Sequence, residues 1–318
     1  KLKKRGCLFK TVYTPLPLDL PPGEGYPWNP SVPNPVLASG TALLGVADLH
    51  RHLIQHKFDI EKETTVFTAN SSSFFDNPLT DFGHGITDGF KTANDLQRKF
   101  KGEPDIMLRD DLVFYDLKKA LEDENPVFVH AHMQGPGSAG YMDSRKGNSI
   151  WDPASAWYEK MIEADKWVLK LIEFLDNKAV WGETVLAVMG DNGQVDTGWA
   201  PPYEPGSDNV PMLIAGRGIK EGEEFEYAEH ADVAPTLAYL AGRDFPDYSQ
   251  GRVLQEALHG YPGEQPKAVG WQKRLNDVQR RHHELLDNPS GRRLLERNHD
   301  LLILNGEFMT VEKIGSWH

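Results

Sequence analysis

The chain has 318 residues, 39% hydrophobic and 25% charged, which is ordinary for a globular protein long enough to bury a sizeable core. A net charge of -13 excludes the basic face that nonspecific nucleic-acid binding needs. No run approaches the ~18 apolar residues of a membrane-spanning helix, and a single cysteine, Cys7, excludes an internal disulfide or a cysteine-based zinc site.

Residues 1–10 (KLKKRGCLFK) read as a helix end running into a strand. With no initiating Met and no leader, they are expected to start inside a longer protein. Cys7 is expected as a small buried side chain. Residues 14–35 are so rich in Pro and Gly that an extended loop is the only reading. A helix follows over 39–55, with a Ser-Gly start and apolar residues at helical spacing, then a strand over 63–69 (ETTVFTA). Asn70-Ser71-Ser72 matches the glycosylation sequon. An amphipathic helix is predicted over 110–122 and a strand over 126–131 (PVFVHA), which runs into a glycine-rich loop over 132–140.

A long amphipathic helix is predicted over 154–177, because Trp157, Met161, Ala164, Val168, Leu171 and Leu175 recur at three and four. Residues 184–189 (TVLAVM) form a continuous apolar run, as expected of a parallel strand covered on both faces. A strand over 210–215 and a helix over 231–241, closed by Gly242, complete the alternation. Strands alternating with helices imply an α/β fold: a mostly parallel sheet sandwiched by helices. Beyond residue 260 the character changes. A charged helix is predicted over 267–298, and Asn305-Gly306 between apolar runs marks a hairpin over 301–311. The chain therefore divides into a main domain, 1–260, and a small helix-plus-hairpin extension, 261–318.

Two clusters could carry chemistry. Gly190-Asp191-Asn192-Gly193 follows the 184–189 strand, at the carboxyl end where ligands bind in open α/β sheets. A carboxylate and an amide oxygen there suit a hard cation, Ca²⁺ or Mg²⁺, with Mn²⁺ or Zn²⁺ as alternatives. The same residues also suit an ordinary turn. Downstream stands EHADVAPT, in which Asp232 is a candidate helix cap and His230 a candidate ligand or anion contact. Trp157 and Trp167 are expected in the core, and His282-His283 on a solvated helix face.

In order along the chain, LKKRGCLFKTVYTP, ADKWVLKLIEFLDNKAVWGETVLAVMGDNG, VPMLIAGRGIKEG, HADVAPTLAYLAG and GRVLQEALHG resemble segments of the sulfatase family in the alkaline phosphatase superfamily. The resemblance spans roughly residues 1 to 260. It implies an alkaline-phosphatase-like fold and a metal-dependent hydrolase of sulfate or phosphate esters, with a small anionic ester as substrate. It places Asp191 and Asn192 on the family's metal-binding pair. Ser39 and Thr41 stand near the expected nucleophile, at a predicted helix start that would activate a hydroxyl. His130 and His132, on one face of their strand, match positions for substrate binding and catalysis, and His230 is a further substrate contact.

The departures are equally specific. The Cys-x-Pro-x-Arg motif is absent, the His-x-Pro pattern is not reproduced, and the family's first strand, with its metal-binding aspartates, would precede Lys1. The resemblance therefore also admits a catalytically inactive binding protein, or a phosphoryl transferase or mutase using Ser39 or Thr41.

Overall fold

The computed structural model describes residues 1–14, 66–70, 90–92, 109–123, 126, 128–199, 204–246, 249, 251–261 and 271–287. The expected helix over 39–55 and hairpin over 301–311 lie outside them, as do Ser39 and Thr41.

A 3₁₀ turn, Leu2–Lys4, leads into strand β1, Gly6–Tyr13. Cys7 and Phe9 face the core by simple alternation, but the next core residue is Val12, three positions on. The change of face is made by a bulge: between Phe9 and Val12 the pairing with the neighbouring strand gains one residue. Next come β2, Val66–Asn70, β3, Phe90–Thr92, helix α1, Asp110–Asp123, and β4, Phe128–His132. Both β3 and β4 pair with β2 in parallel.

The segment expected as a loop over 132–140 is largely helical. Helix α2, Gly135–Lys146, begins there, with Pro in its first turn, where a missing N–H costs nothing. The glycine at its start meets a packing demand, not a turn demand. A Cβ on Gly135 would lie 2.3 Å from Oδ2 of the buried Asp110, whose Oδ1 accepts the Gly135 N–H at 3.0 Å. Composition reads glycine as a breaker and does not register this close approach.

Helix α3, Ala156–Asn177, is capped by Ser155, whose hydroxyl accepts the Tyr158 N–H at 3.1 Å. Trp167 is buried against Phe114 of α1, ring centroids 5.1 Å apart, as expected of a core aromatic. Trp157 is half-buried and meets the exposed Trp151 edge to face. At the far end of α3, Asp176 takes a bidentate ion pair from Arg5, which also stacks on Trp181 at 4.0 Å. That pair ties the start of β1 to the turn entering β5, Val185–Met189.

The short hairpin strands β6, Gln194–Val195, and β7, Gly198–Trp199, follow directly. They are succeeded by β8, Asn209–Gly216, β9, Glu224–Glu229, helix α4, Val233–Leu240, and helix α5, Trp271–Asp287.

The chain has an α/β fold with a mixed sheet arrangement and flanking helices. Among the described residues a four-stranded sheet has the order β5-β8-β1-β9, a three-stranded sheet the order β3-β2-β4, and β6 and β7 pair on their own. The parallel pairing expected of residues 184–189 is instead antiparallel: β5 pairs with β8 that way, as β8 does with β1, while β1 and β9 are parallel. An apolar run reports cover on two faces; it carries no information on the direction of the partner strand.

The main core joins Cys7, Phe9, Val12, Met212, Ile214, Ile219, Val233 and Leu254 across β1, β8, α4 and the segment after it. Cys7 is fully buried, and its thiol donates to the Lys220 carbonyl at 3.3 Å. Burial pushes that thiol up to about 12, so iodoacetamide at pH 8 is expected to label Cys7 only under denaturing conditions. Labelling of the native chain within minutes would contradict this burial.

β8 ends at Gly216, where φ is +112° and a Cβ would lie 2.0 Å from the Thr184 carbonyl oxygen. Gly216→Ala therefore meets both backbone strain and a clash, and is expected to cost roughly 3 kcal/mol. A fall in the urea midpoint at unchanged slope would register it, and an unchanged midpoint would refute it.

Candidate metal and anion site

β4 and β5 are the edge strands of their sheets among the described residues. Both edges line one cavity of about 2310 Å³, with Phe128, Val129 and Ala131 on one side and Val185 to Met189 on the other. The six apolar residues that predicted helix α3 (Trp157, Met161, Ala164, Val168, Leu171 and Leu175) all line it too. At its polar end the cavity meets Met133 and Gln134 after β4, and Gly190 to Gln194 after β5. The carboxyl ends of the two strands thus open on a shared space, as open α/β folds arrange their ligand sites.

The bend after β5 is held from two sides. Within it, Asp191 Oδ1 accepts the Asn192 N–H at 3.0 Å. Gly193 donates its N–H to the Ser207 carbonyl at 2.6 Å, and a Cβ there would lie 2.0 Å from the Gly206 carbonyl oxygen. Only glycine fits this close approach of two backbones.

On the other side lies His230, fully buried, with Nε2 3.2 Å from the Gly190 carbonyl oxygen. A carbonyl accepts, so Nε2 carries the proton. Among the described residues, its Nδ1 is buried without a hydrogen-bond partner. Burial pushes this imidazole down to about 4, against the opposing influence of the Asp191 charge and the Gly190 carbonyl, so it is neutral at pH 7.

His230 is placed by a reciprocal cap. The side chains of Glu229 and Asp232 each accept from the other's end of the 3₁₀ turn His230–Asp232. Asp232 does not cap the following helix with its side chain. Instead its Oδ2 takes the Glu229 N–H at 3.0 Å and its Oδ1 the Arg252 N–H at 2.9 Å. Four residues on, Thr236 donates to the Asp232 carbonyl at 2.6 Å and accepts the Leu254 N–H at 3.0 Å. The Asp-x-x-Pro-Thr pattern is thus a clamp between α4 and residues 252–254.

Of the sequence candidates, Asp191, Asn192 and His230 stand together. His130 and His132 occupy the last turns of the ladder on β4, opposite Thr68 and Asn70 of β2. Asp191 and Asn192 offer two hard oxygens, part of the six to eight that Ca²⁺ takes. Among the described residues no group of three or more His, Cys, Asp and Glu side chains is gathered to hold a metal ion. Sequence inspection missed the residues that brace this bend. Ser207 contributes a carbonyl, and the next residue, Asp208, is engaged by Asn276 from 68 residues away; neither role has a local signature.

Comparison with known proteins places these features. The family described as Sulfatase matches residues 59–243, more than half of the chain. GPI ethanolamine phosphate transferase 1 of Candida glabrata is 23% identical over 209 residues, 59% of this chain and 22% of the relative. Its counterpart in Emericella nidulans is 23% identical over 175 residues, 48% and 18% of the two chains. The chain thus spans about a fifth of the length of these curated relatives. Among solved structures, the phosphonate monoester hydrolase of Agrobacterium radiobacter superposes with a TM-score of 0.55 at 15% identity, covering 84% of this chain and 72% of that one. The shared fold, the family match over 59–243 and the ordered motifs agree, and the chain belongs to the sulfatase family.

Proposed function

We propose that this chain carries part of an active site for metal-dependent hydrolysis of sulfate or phosphate esters, with Asp191 and Asn192 holding a divalent cation, Ca²⁺ or Mg²⁺ first. The observation behind the reading is the position of this pair, beyond the carboxyl end of β5 and on the cavity that also takes the end of β4.

Bound there, a cation would stabilise charge building on the sulfuryl or phosphoryl oxygens. Asp191 supplies the formal charge and Asn192 a neutral oxygen. The neutral His230 ring engages the Gly190 carbonyl and so fixes the bend that presents them. His130 and His132 are proposed to contact substrate and move protons, and Ser39 or Thr41 to supply the nucleophilic hydroxyl. The remaining carboxylates of the metal set are proposed to come from a strand seated between the β4 and β5 edges.

Turnover of aryl sulfate and aryl phosphate with Ca²⁺, Mg²⁺, Mn²⁺ or Zn²⁺ tests the reading. The expected result is turnover that a chelator stops. No turnover with any cation, together with no calorimetric cation binding, would end it.

A second reading, transfer of a phosphoryl-linked group to an alcohol, is favoured by the two relatives named as ethanolamine phosphate transferases. Reaction in ¹⁸O-labelled water with an alcohol acceptor separates the two. Labelled phosphate marks hydrolysis, and an unlabelled new ester marks transfer.

A further inference from the structure

Two residues of α5 reach Asp208, the neighbour of the Ser207 that braces the Asp191 bend. Asn276 is fully buried and donates through Nδ2 to two acceptors, the Thr14 carbonyl at 2.9 Å and Asp208 Oδ2 at 2.6 Å. One helical turn later, Arg280 Nη2 lies 2.5 Å from Asp208 Oδ1. The Asp208 side chain is 1% exposed and that of Arg280 13% exposed, so solvent screens this pair little. The Asp208 backbone is engaged as well, its carbonyl accepting the Thr14 N–H at 2.9 Å.

Ser207, the preceding residue, takes the Gly193 N–H at 2.6 Å, and its hydroxyl bonds the Glu204 carbonyl at 2.6 Å. The Gly206 carbonyl sits where any Cβ on Gly193 would go. An unbroken series of contacts therefore runs from α5 through Asp208 and the 204–208 turn to Gly193, next to Asn192.

We infer that Asn276 and Arg280 are positioning residues, which lock the 204–208 turn through Asp208 and thereby hold the Gly190–Gly193 bend in the shape that presents Asp191 and Asn192. The chemistry favours such a role. A buried carboxylate held by an Arg and an Asn has only one low-energy place to sit, because moving it strands a charge away from water. The rigidity passes to the backbone on either side of Asp208. The cation-binding part of this inference rests on the function proposed above; the mechanical part does not.

The test uses the full chain with Asn276→Ala, Arg280→Gln and the charge-conserving Arg280→Lys, after circular dichroism shows each to be folded. Phe114→Leu serves as a control that loosens the core between α1 and α3, away from the bend. Two readouts are taken: amide hydrogen exchange across residues 189–196, and calorimetric affinity for Ca²⁺ and Mg²⁺.

Asn276→Ala and Arg280→Gln are expected to speed exchange of this segment at least tenfold, with β1 and β9 unchanged. Cation affinity should fall roughly 10- to 100-fold, the scale found for groups that orient metal ligands. Arg280→Lys should restore part of both, and Phe114→Leu should change neither. Exchange of 189–196 equal to wild type in Asn276→Ala and Arg280→Gln overturns the proposal, as does equal acceleration in Phe114→Leu. If the wild-type chain binds no cation, the functional reading fails, and the exchange data alone decide the positioning role.

Discussion

Replacing Asp191 by Ala is expected to abolish calorimetric binding of Ca²⁺ and Mg²⁺ and to lower any metal-dependent kcat/KM by about 10³-fold or more. Asp191 brings the only formal charge in the pair, and a hard cation loses most where an anionic oxygen is removed. About 10³-fold corresponds to about 4 kcal/mol, within the several kcal/mol that metal stabilisation of developing charge supplies. Asn192→Ala, which removes a neutral oxygen, should cost less, with weakened binding that excess cation overcomes.

The fold is expected to survive both changes. Asp191 is partly exposed, and the hydrogen bond its side chain accepts from the Asn192 N–H is worth about 1 kcal/mol. Circular dichroism and the urea midpoint check that point. Cation affinity of Asp191→Ala equal to wild type would remove the pair from the metal site and leave it the turn that its composition also fits.

The second large effect concerns stability. Asp110 is fully buried where α1 meets the first turn of α2, and burial pushes its carboxyl up to about 6, against the Gly135 N–H, which favours the charged form. In the unfolded chain the same group titrates near its ordinary value of 3.8. Between those values the folded state holds the proton more tightly, so stability falls as pH rises from about 4 to about 6 and this contribution is flat above. A separation of about two pH units corresponds to about 3 kcal/mol at most.

Asp110→Asn keeps an oxygen for the Gly135 N–H and never ionises. It is expected to be more stable than wild type at pH 8, by up to about 3 kcal/mol less the ~0.5 to 1 kcal/mol of favourable charge at helix starts. The two stability curves should converge near pH 4. Taking the difference between variant and wild type cancels the other titrating groups. A difference that stays constant from pH 4 to pH 8 would show that Asp110 does not titrate in this range.

Several local features were legible from residue types alone. α1 and α3 follow from their amphipathic patterns, and α4 was expected with Gly242 at its end. The burial of Cys7 and Trp167 followed from their chemistry. The alternation of strands and helices led to the α/β class, and the order of the family-like segments led to the family, because a run of motifs in sequence survives divergence that erases any one of them.

The glycine-rich stretch after β4 was misread, since Gly135 serves the approach of Asp110 from 25 residues away. The stripe on α3 was correctly apolar, but the cavity it lines could not be foreseen.

For the candidate site, the sequence by itself determined which groups are available: a carboxylate and an amide after an apolar strand, and a histidine ahead of an Asp-x-x-Pro-Thr helix. These are properties of neighbours along the chain, and local chemistry suffices to read them. Only the tertiary structure decided that the His230 ring meets the Gly190 carbonyl, that β5 runs antiparallel to β8, and that Asn276 reaches Asp208 behind the Asp191 bend. Those contacts join residues from 23 positions apart, Met189 and Met212, to 68 apart, Asp208 and Asn276. Their stability comes from excluding water around paired polar groups, which depends on how the whole chain closes over them and leaves no periodic trace in the residues themselves.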